Sequence, residues 1–569
     1  MKYRKIYIML TIAFLTAFSS CKKEFNGYLT NPNSPSPTTA DVDLYLNQVQ
    51  LSFSAFWTRA SDLGAQLTRE QYWVGPFYRN GYTPASFDGE WTSAYTGVFA
   101  NANALIPLAQ DQKKYVQSGI ARTLLAFTLG TLVDDFGDVP YSESVLGNEN
   151  TNPGVDGGAA VYAGVQTLLD SAISDFQKDG AAAGPPIDLF YGGDADAWIT
   201  FVKTLKLKFY MQTRLVDAGA TAKIEELLTE DDLINDPSQD FVFQYGTNIS
   251  APDSRHPQYA ANYVDAGGPG YLSNFYMWMI ASQKYGGNAN FNGDPRLRYY
   301  FYRASLNYNW ANSSTCPCFA RSFLATTPAP PAWYPSVPDE TPYCVIGKGY
   351  LGRDHGDASG GPPDGSFRST YGVYPAGGAF DADEADAITS GMGGKGAGID
   401  PIWLSSYTEF LKAEAVLTLG ITAPGTARAL LQAGVATSID RVMGFPAKIG
   451  YTVPSDKVPA PTQVTNYINL VLSKYDAATT DAQRLNVIMT EYYLAAWGNG
   501  VEPYNNYRRT GMPNNMQPPA AVPEPGLFMR SFFYPSVFVN RNVNAPAQKN
   551  PGNAADKVFW DNNPDDFVK

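Results

Sequence analysis

The chain has 569 residues, of which 17% are charged, with 41 Lys plus Arg against 54 Asp plus Glu and a net charge of −13. That acidity argues against nucleic acid, whose binding rests on Lys and Arg neutralising phosphate, and against purely electrostatic attachment to anionic lipid. The 37 Tyr, 31 Phe and 10 Trp indicate a folded, core-rich chain with rings to spare for a surface.

At the N-terminus, Lys2, Arg4 and Lys5 precede an apolar run over 6–18, and Ser19 and Ser20 lead into Cys21. A basic start, a short apolar core and small residues before a cut form a secretory signal over 1–20. The run is shorter than the roughly 18 apolar residues of a membrane-spanning helix. Cys21, at the first mature position, resembles the cysteine of a bacterial lipobox, with Phe18 where Leu is usual, and predicts lipid attachment to its thiol. Cleavage there removes three basic groups and no acidic one, taking the net charge from −13 to −16. Acyl chains, two or more, rather than charge, would hold the protein to a membrane.

Residues 21–41, rich in Asn, Pro, Ser and Thr, read as a tether. Apolar spacing then predicts helices over 44–67 and 91–109. Ile120, Leu124, Phe127 and Thr131 mark a third helix, and 162–176, with Val165, Leu168, Leu169 and Ile173, a fourth. The strongest pattern is Trp198, Phe201, Val202, Leu205, Phe209 and Val216, with Asp194 or Asp196 placed to cap its start. Gly, Pro, Tyr and Asn dominate 246–398, which reads as long loops and short strands around a few helices, one over 271–285. Helical periodicity returns over 403–419, 426–443, 462–474 and 482–497. Residues 42–569 therefore read as one domain. Its helical scaffold covers 42–245 and 399–510, its loop-rich insertion 246–398, and its Pro- and Asn-rich ending 511–569. Paired amphipathic helices on short turns suggest a mainly α fold of tetratricopeptide-like hairpins.

Three cysteines follow Cys21: Cys316, Cys318 and Cys344. Pro317 between the first two strains a direct bridge, so Cys316 or Cys318 would pair with Cys344, and Cys318–Cys344 is the candidate disulfide. The alternative is a Cys₃His metal set with His355, a poor match to zinc-ligand spacing.

Several segments, in order, resemble the SusD/RagB family of nutrient-binding outer-membrane lipoproteins. They are Asn31-Pro32-Asn33 in the tether, Asp135-Phe136-Gly137-Asp138-Val139-Pro140-Tyr141, Asp294-Pro295-Arg296-Leu297, and Glu409 with Glu414 on a late helix. Tyr507-Arg508-Arg509-Thr510-Gly511-Met512-Pro513 follows as a turn, then Tyr534-Pro535 with Asn540, and Val558-Phe559-Trp560-Asp561. Phe538 stands where the family usually has Glu. Physically, Gly137 and Pro140 should end a helix, and the Asp and Arg groups should form buried pairs that fix hairpin packing.

Enzyme motifs fare poorly. Gly347-Lys348-Gly349-Tyr350-Leu351-Gly352 matches G-x-G-x-x-G but runs into loop sequence, without the helix N-terminus that holds a pyrophosphate. Gly394-Lys395-Gly396 lacks the Ser or Thr of a P-loop. Asn288, Asn290 and Asn292 mimic a calcium loop with Tyr299 in place of its bidentate Glu, and Asp381, Asp383, Glu384 and Asp386 read more simply as a solvated face. With only His256 and His355, a Ser-His-Asp arrangement has little to build on.

The better candidate is an aromatic platform. Tyr72, Trp73, Phe77, Tyr78, Tyr82, Phe87 and Trp91 crowd a segment broken by Gly75, Pro76, Gly81 and Pro84, beside Gln71, Arg79 and Asn80. Rings on rigid loops stack on sugar faces or grip peptide side chains while the polar neighbours hydrogen-bond. The resemblance implies further members in the insertion, Tyr271 and Trp310, with Trp278 equally suited to a helix core. Taken together, the expectation is a lipid-anchored, surface-exposed binding protein without catalytic residues, metal or cofactor. It would capture oligosaccharide or peptide and, as the resemblance implies, deliver it to a TonB-dependent SusC-like outer-membrane barrel. The competing readings are a surface glycoside hydrolase, whose carboxylate pair the sequence alone does not single out, and a helical scaffold without a ligand.

Overall fold

The computed structural model describes residues 41–73, 78–178, 186–263, 270–281, 293–304, 345–346, 349–356, 368–422, 424–519, 526–551 and 556–568. Helix α1 (Val42–Leu67) starts where the Asp41 carboxylate accepts the Asp43 amide at 2.8 Å. It buries Leu46, Val49, Phe53, Phe56, Trp57 and Ala60, the i, i+3, i+4 face of an amphipathic helix. After the one-turn α2 (Tyr78–Gly81), α3 (Asp88–Thr92) continues through a π-helical stretch, Ser93–Phe99, into α4 (Ala100–Asp111) and packs along α1.

Then come α5 (Tyr115–Phe136), α6 (Gly158–Phe176), α7 (Ala195–Thr213) and α8 (Ala220–Glu230), each packed on the one before. Helix α5 is buried on nearly all sides and, among the described residues, is the one helix long and apolar enough to cross a membrane. Here 89% of its most apolar window is buried inside the protein, so it is a core helix. Gly137 (φ 76°) ends it, as its sequence predicts. The Asp194 carboxylate caps α7 by accepting the amides of Asp196 and Ala197. That helix ends at Thr213, leaving Val216 outside it and exposed, contrary to the expected continuous face.

Strand β1 (Phe241–Gln244) leads into the insertion, which contributes α9 (Pro257–Tyr263), α10 (Asn274–Ala281), α11 (Leu297–Tyr300), β2 (Phe301–Tyr302), β3 (Val345–Ile346), β4 (Tyr350–Leu351) and β5 (Thr370–Tyr371), and β6 (Ile399–Trp403) leads out of it. They form three two-stranded antiparallel ladders, β1–β6, β2–β5 and β3–β4. In the first, Val242 faces Pro401 and Gln244 faces Ile399, so the end of the first helical layer is tied to the start of the second. Trp403 lies in this strand, not in the helix its periodicity suggests.

The second layer is α12 (Ser405–Leu419), α13 (Ala427–Lys448), α14 (Pro461–Ala477) and α15 (Asp481–Ala495), followed by α16 (Val501–Thr510) and the short α17 (Ser536–Val539). Gly420 (φ 71°) ends α12, and Thr480 with Gln483 forms a capping box at α15. The fold is mainly α, a set of tetratricopeptide-like hairpins with a strand-bearing insertion.

Helix α16 is unlike the others. All ten of its residues are buried, although they include Glu502, Asn505, Asn506, Arg508 and Arg509. Arg509 makes two bonds to Glu414 of α12 (3.1 and 2.7 Å) and one to Gln212 of α7 (2.6 Å). Arg508 donates to the carbonyls of Asp134 (2.7 Å) and Arg530 (2.8 Å) and lies 3.7 Å over the Tyr504 ring. Asn505 and Trp560 donate to Asp134, and Lys208 of α7 pairs with Glu502 at 2.6 Å. A second buried knot joins Arg296 to Asp294 (2.6 Å), Glu491, Tyr467 and Ser438. Of the motif groups, Arg296 with Asp294, Arg509 with Glu414 and Arg530 with Asp561 are thus the expected buried pairs, whereas Asp138 is exposed and accepts the Gly158 amide, and Asp135 lies against Glu90.

Helices α1 and α16 meet backbone to backbone. A Cβ on Gly500 would lie 2.0 Å from the Ser61 carbonyl oxygen, and one on Gly64 would lie 2.2 Å from the Gly500 oxygen. Gly500→Ala is therefore expected to lower stability by at least the ~1–3 kcal/mol typical of overpacking, because backbone on both sides leaves nothing soft to move. Urea unfolding checks this, and an unchanged midpoint would show that the crossing is looser than the geometry requires.

Candidate functional site

Three chain segments distant in sequence are stitched together beside the end of α1. The Tyr72 amide donates to the Tyr271 carbonyl (3.1 Å), and Gln71 bridges Leu272. The Arg353 amide donates to the Leu272 carbonyl (3.0 Å), and the Asn274 amide to the Arg353 carbonyl (2.9 Å). Gly352 permits this, since a Cβ there would sit 2.2 Å from the Leu272 oxygen. The last glycine of the G-x-G-x-x-G string thus serves close backbone approach, and the strand β4 occupies the place a phosphate-binding helix would need.

The stitching brings Tyr72 and Tyr271 together edge to face, with ring centroids 6.0 Å apart at 80°. Both are half-buried. The Arg353 guanidinium lies 4.3 Å over the Tyr271 ring and that of Arg368 lies 5.4 Å from it. Gln71 and Gln258 both donate to one Asp62 oxygen at 2.9 Å. The result is a ledge of two tyrosines edged by carboxamides and backed by guanidinium groups.

Behind the ledge the expected platform is differently arranged. Trp73, Tyr78, Tyr82 and Trp91 are 1%, 1%, 6% and 6% exposed, so their faces are turned to each other and to the core. Trp73 stacks on Tyr78 (4.7 Å, 18°) and Tyr82 (6.2 Å, 15°), and the backbone of Gly81 presses on its indole. Trp91 packs against Tyr95, Phe136 and Phe538. The glycines and prolines break the segment, as the sequence indicates, but they fold the rings inward, where each buries far more apolar area than an open ledge allows. Phe538, in the position where Glu is usual, completes the apolar seat of Trp91. Trp278 is also core. Arg79 and Asn80 lie in α2, with side chains outside the described structure, and Cys21, Trp310, Cys316, Cys318 and Cys344 lie outside the described residues.

The ionisable groups here are tuned by burial. Tyr78 donates to or accepts from His355 Nε2 at 2.8 Å, and burial pushes its phenol up to about 12. Burial, with Arg69 nearby, holds the His355 ring well below its ordinary range, so it is neutral. His256 is likewise driven down to about 3 by burial, 3.7 Å from Asp400. Burial pushes the Asp400 carboxyl up to about 7 against hydrogen bonds from Tyr245 (2.8 Å) and Thr58 (3.2 Å). Both histidines are locked in the interior. Of the acidic run in the insertion, Glu384 and Asp386 are exposed, as a solvated face requires, but Asp381 and Asp383 are paired with cations. Asp381 is buried against Arg303 and Tyr350, and Asp383 is held far below the carboxylate range as Arg298, Lys457 and Arg303 outweigh its burial. Among the described residues no cluster of His, Cys, Asp and Glu could hold a metal ion.

A family profile described as "Starch-binding associating with outer membrane" matches residues 32–312, and one described as "Susd and RagB outer membrane lipoprotein" matches residues 382–540. The chain belongs to the SusD/RagB family. Solved structures of this SusD-like fold align along nearly the whole chain. A SusD/RagB family protein from Bacteroides thetaiotaomicron is 19% identical with a TM-score of 0.63, over 92% of this chain and 100% of that one. A chitin-binding SusD homologue from Flavobacterium johnsoniae is 19% identical with a TM-score of 0.59, over 91% and 99%. A SusD homologue from Bacteroides uniformis is 18% identical with a TM-score of 0.61, over 92% and 100%. No curated protein matches the sequence. Arg353 and Arg368, which sequence reasoning does not single out, join the ledge through the insertion. The one trace of them in the sequence is Gly352.

Two expectations follow. Trp73→Ala should cost about 3–5 kcal/mol of stability, as for other large buried aromatics, and a variant as stable as the parent would mean the indole is not packed as described. Asp400 keeps its proton in the folded state at pH values where the unfolded chain, with a pKa of ~3.9, has lost it. Its contribution is complete below that value and is lost as pH rises to about 7. Asp400→Asn, which retains an acceptor for Tyr245 and Thr58, should therefore gain stability relative to the parent across that window and level off above it. Urea unfolding as a function of pH measures this, and a difference independent of pH would remove Asp400 as the titrating group.

Proposed function

We propose that this SusD-like protein is a cell-surface capture protein for oligosaccharide or peptide. The observation that carries the proposal is the match, in order along the chain, to two profiles of outer-membrane-associated proteins, one described as starch-binding and one as lipoprotein. The secretory pattern over 1–20, Cys21 and the polar stretch over 21–41 support a lipid anchor on a tether. The partner would be a TonB-dependent, SusC-like barrel to which ligand is passed without bond chemistry.

The half-buried pair Tyr72 and Tyr271 is the ledge we assign to ligand contact. Its geometry suits a flat sugar face or an extended peptide, with Gln71 and Gln258 as hydrogen-bonding edges. Trp73, Tyr78, Tyr82 and Trp91 act one layer down, holding the ledge rigid so that little ordering entropy is lost on binding. The chitin-binding neighbour makes chitin oligosaccharides the first ligands to try.

The test uses the mature chain from residue 22, with starch and chitin oligosaccharides and a peptide library, and with product analysis on each. Binding without turnover is expected. Tyr72→Ala and Tyr271→Ala should each weaken it by about 2- to 10-fold, the worth of one aromatic contact, while unfolding midpoints stay near the parent. Turnover of any glycan would replace this reading with a hydrolase, and binding indifferent to both tyrosines would move the site elsewhere.

A further inference from the structure

The start of α3 and the end of α5 meet through two carboxyl groups. Glu90 is 1% exposed and Asp135 is 4% exposed, and their side chains lie against each other. Neither oxygen of Glu90, nor Oδ2 of Asp135, receives a hydrogen bond among the described residues. The charged groups packed around them are mostly engaged. Arg508 of α16 is bonded to the Asp134 and Arg530 carbonyls, and Lys208 of α7 pairs with Glu502 at 2.6 Å. Arg59 of α1 is exposed and lies across the backbone of α3, where a Cβ on Gly89 would sit 2.6 Å from its guanidinium. Asp134 adds negative charge beside Asp135, and burial keeps the Tyr504 phenol of α16 neutral. On α3 itself, Asp88 is taken up by Ser536 and the Val537 amide of α17.

Two carboxylates in contact and away from water do not both ionise. A protonated carboxyl, in contrast, is a donor, and its O–H supplies the hydrogen bond that the surrounding protein does not. Burial pushes the Asp135 carboxyl up to about 7 against the pull of Arg508, and burial with the neighbouring Asp135 pushes Glu90 well above the carboxylate range. In the unfolded chain both groups lose their protons near pH ~4. The pairing is therefore complete below that value and fades as pH rises through about 7. The same junction carries the rings behind the ledge. Trp91 and Phe87 each meet Phe136 edge-on, at 5.3 and 6.0 Å, Phe87 touches Tyr82 at 5.9 Å, and Tyr82 stacks on Trp73, the residue after Tyr72. Helix α5 is long and buried, whereas α3 has five residues and grows out of the turn at Pro84–Phe87. When charge appears on the pair, α3 is the side free to move.

We propose that Glu90 and Asp135 form an acid latch: protons held between them close α3 onto α5, and their loss as pH rises frees α3 and loosens the ring block behind the ledge. The latch is built into the fold and does not depend on what the ledge binds.

Amide hydrogen exchange of the mature chain as a function of pH tests the latch. Helix α14, in the second layer, is the internal reference, because base catalysis speeds exchange at every amide alike. In the parent, opening of α3 relative to α14 should rise by at least about tenfold per pH unit between pH ~5 and ~7, the slope of one proton held closed and lost open. Glu90→Gln and Asp135→Asn each put a permanent N–H donor where the proton sits. Both should flatten that slope and leave α3 at least about tenfold better protected than in the parent at pH ~8. A parent in which α3 and α14 follow one pH course overturns the proposal without any variant, so a folding defect in either variant leaves it falsifiable. Variants that keep the parent's slope also overturn it, since the titrating group is then another, such as Asp400. These readouts need no ligand, so their failure is distinct from failure of the capture reading, which Tyr72→Ala and Tyr271→Ala report.

Discussion

The pairing of Arg508 and Arg509 with acceptors from four directions is the constraint on which the architecture depends. A guanidinium removed from water needs its donors satisfied in a fixed planar geometry, and each missing partner leaves a penalty of several kcal/mol. Arg509 requires Glu414 and Gln212 in place, and Arg508 requires the carbonyls of Asp134 and Arg530. These partners lie on α12, α7, α5 and the C-terminal segment. Apolar contacts alone would let the two helical layers slide, because burial is indifferent to direction. Directional bonds to two adjacent arginines allow one arrangement. Lys208 with Glu502, and Asn505 with Asp134, extend the same logic along α16.

The tyrosine ledge is built on this rigid frame by a different means. Its three segments come from the end of α1, the start of α10 and the stretch just after β4, and what joins them is a short run of main-chain hydrogen bonds. Main-chain bonding is insensitive to side-chain identity, so ring and guanidinium positions can be exchanged without disturbing the stitch. The buried Trp73, Tyr78 and Tyr82 stack supplies stiffness beneath it. A hard underlayer with a substitutable surface is a sound arrangement for proteins that share a fold and differ in ligand.

What could be seen in the sequence follows from physical type. Helices α1, α5, α6, α7 and α12 to α15 carry a periodic apolar face or a continuous apolar run and were legible to within a few residues. Helix α16 was not. Its end, 507–513, reads as a turn whose arginines should be buried, but the helix over Glu502, Asn505 and Asn506 shows no apolar period, because periodicity measures apolar burial and is blind to a helix buried through hydrogen bonds. Trp403 reads as helical because an apolar strand residue beside a helix start fits either period. The crowding of rings over 72–91 was visible, whereas their inward turn depends on Gly81 lying against Trp73 and on Phe532 and Phe538 arriving from the far end of the chain. The ledge itself depends on contacts between residues about 200 and 280 positions apart, which no local pattern encodes.

The backbone crossing of α1 and α16 also bears on the order in which the molecule can assemble. The Gly500 amide meets the Ser61 hydroxyl across 439 residues, and Arg508 reaches Asp134 across 374. A growing chain exposes its N-terminal helices first. Through most of synthesis the groove of α1 is therefore uncovered, and the acceptors of α5 and α7 point at nothing. The early hairpins can form, yet none reaches its final stability until nearly the whole polypeptide is present. Nascent chains of this protein should remain loosely organised and dependent on chaperone custody until the last helices emerge, after which closure is cooperative.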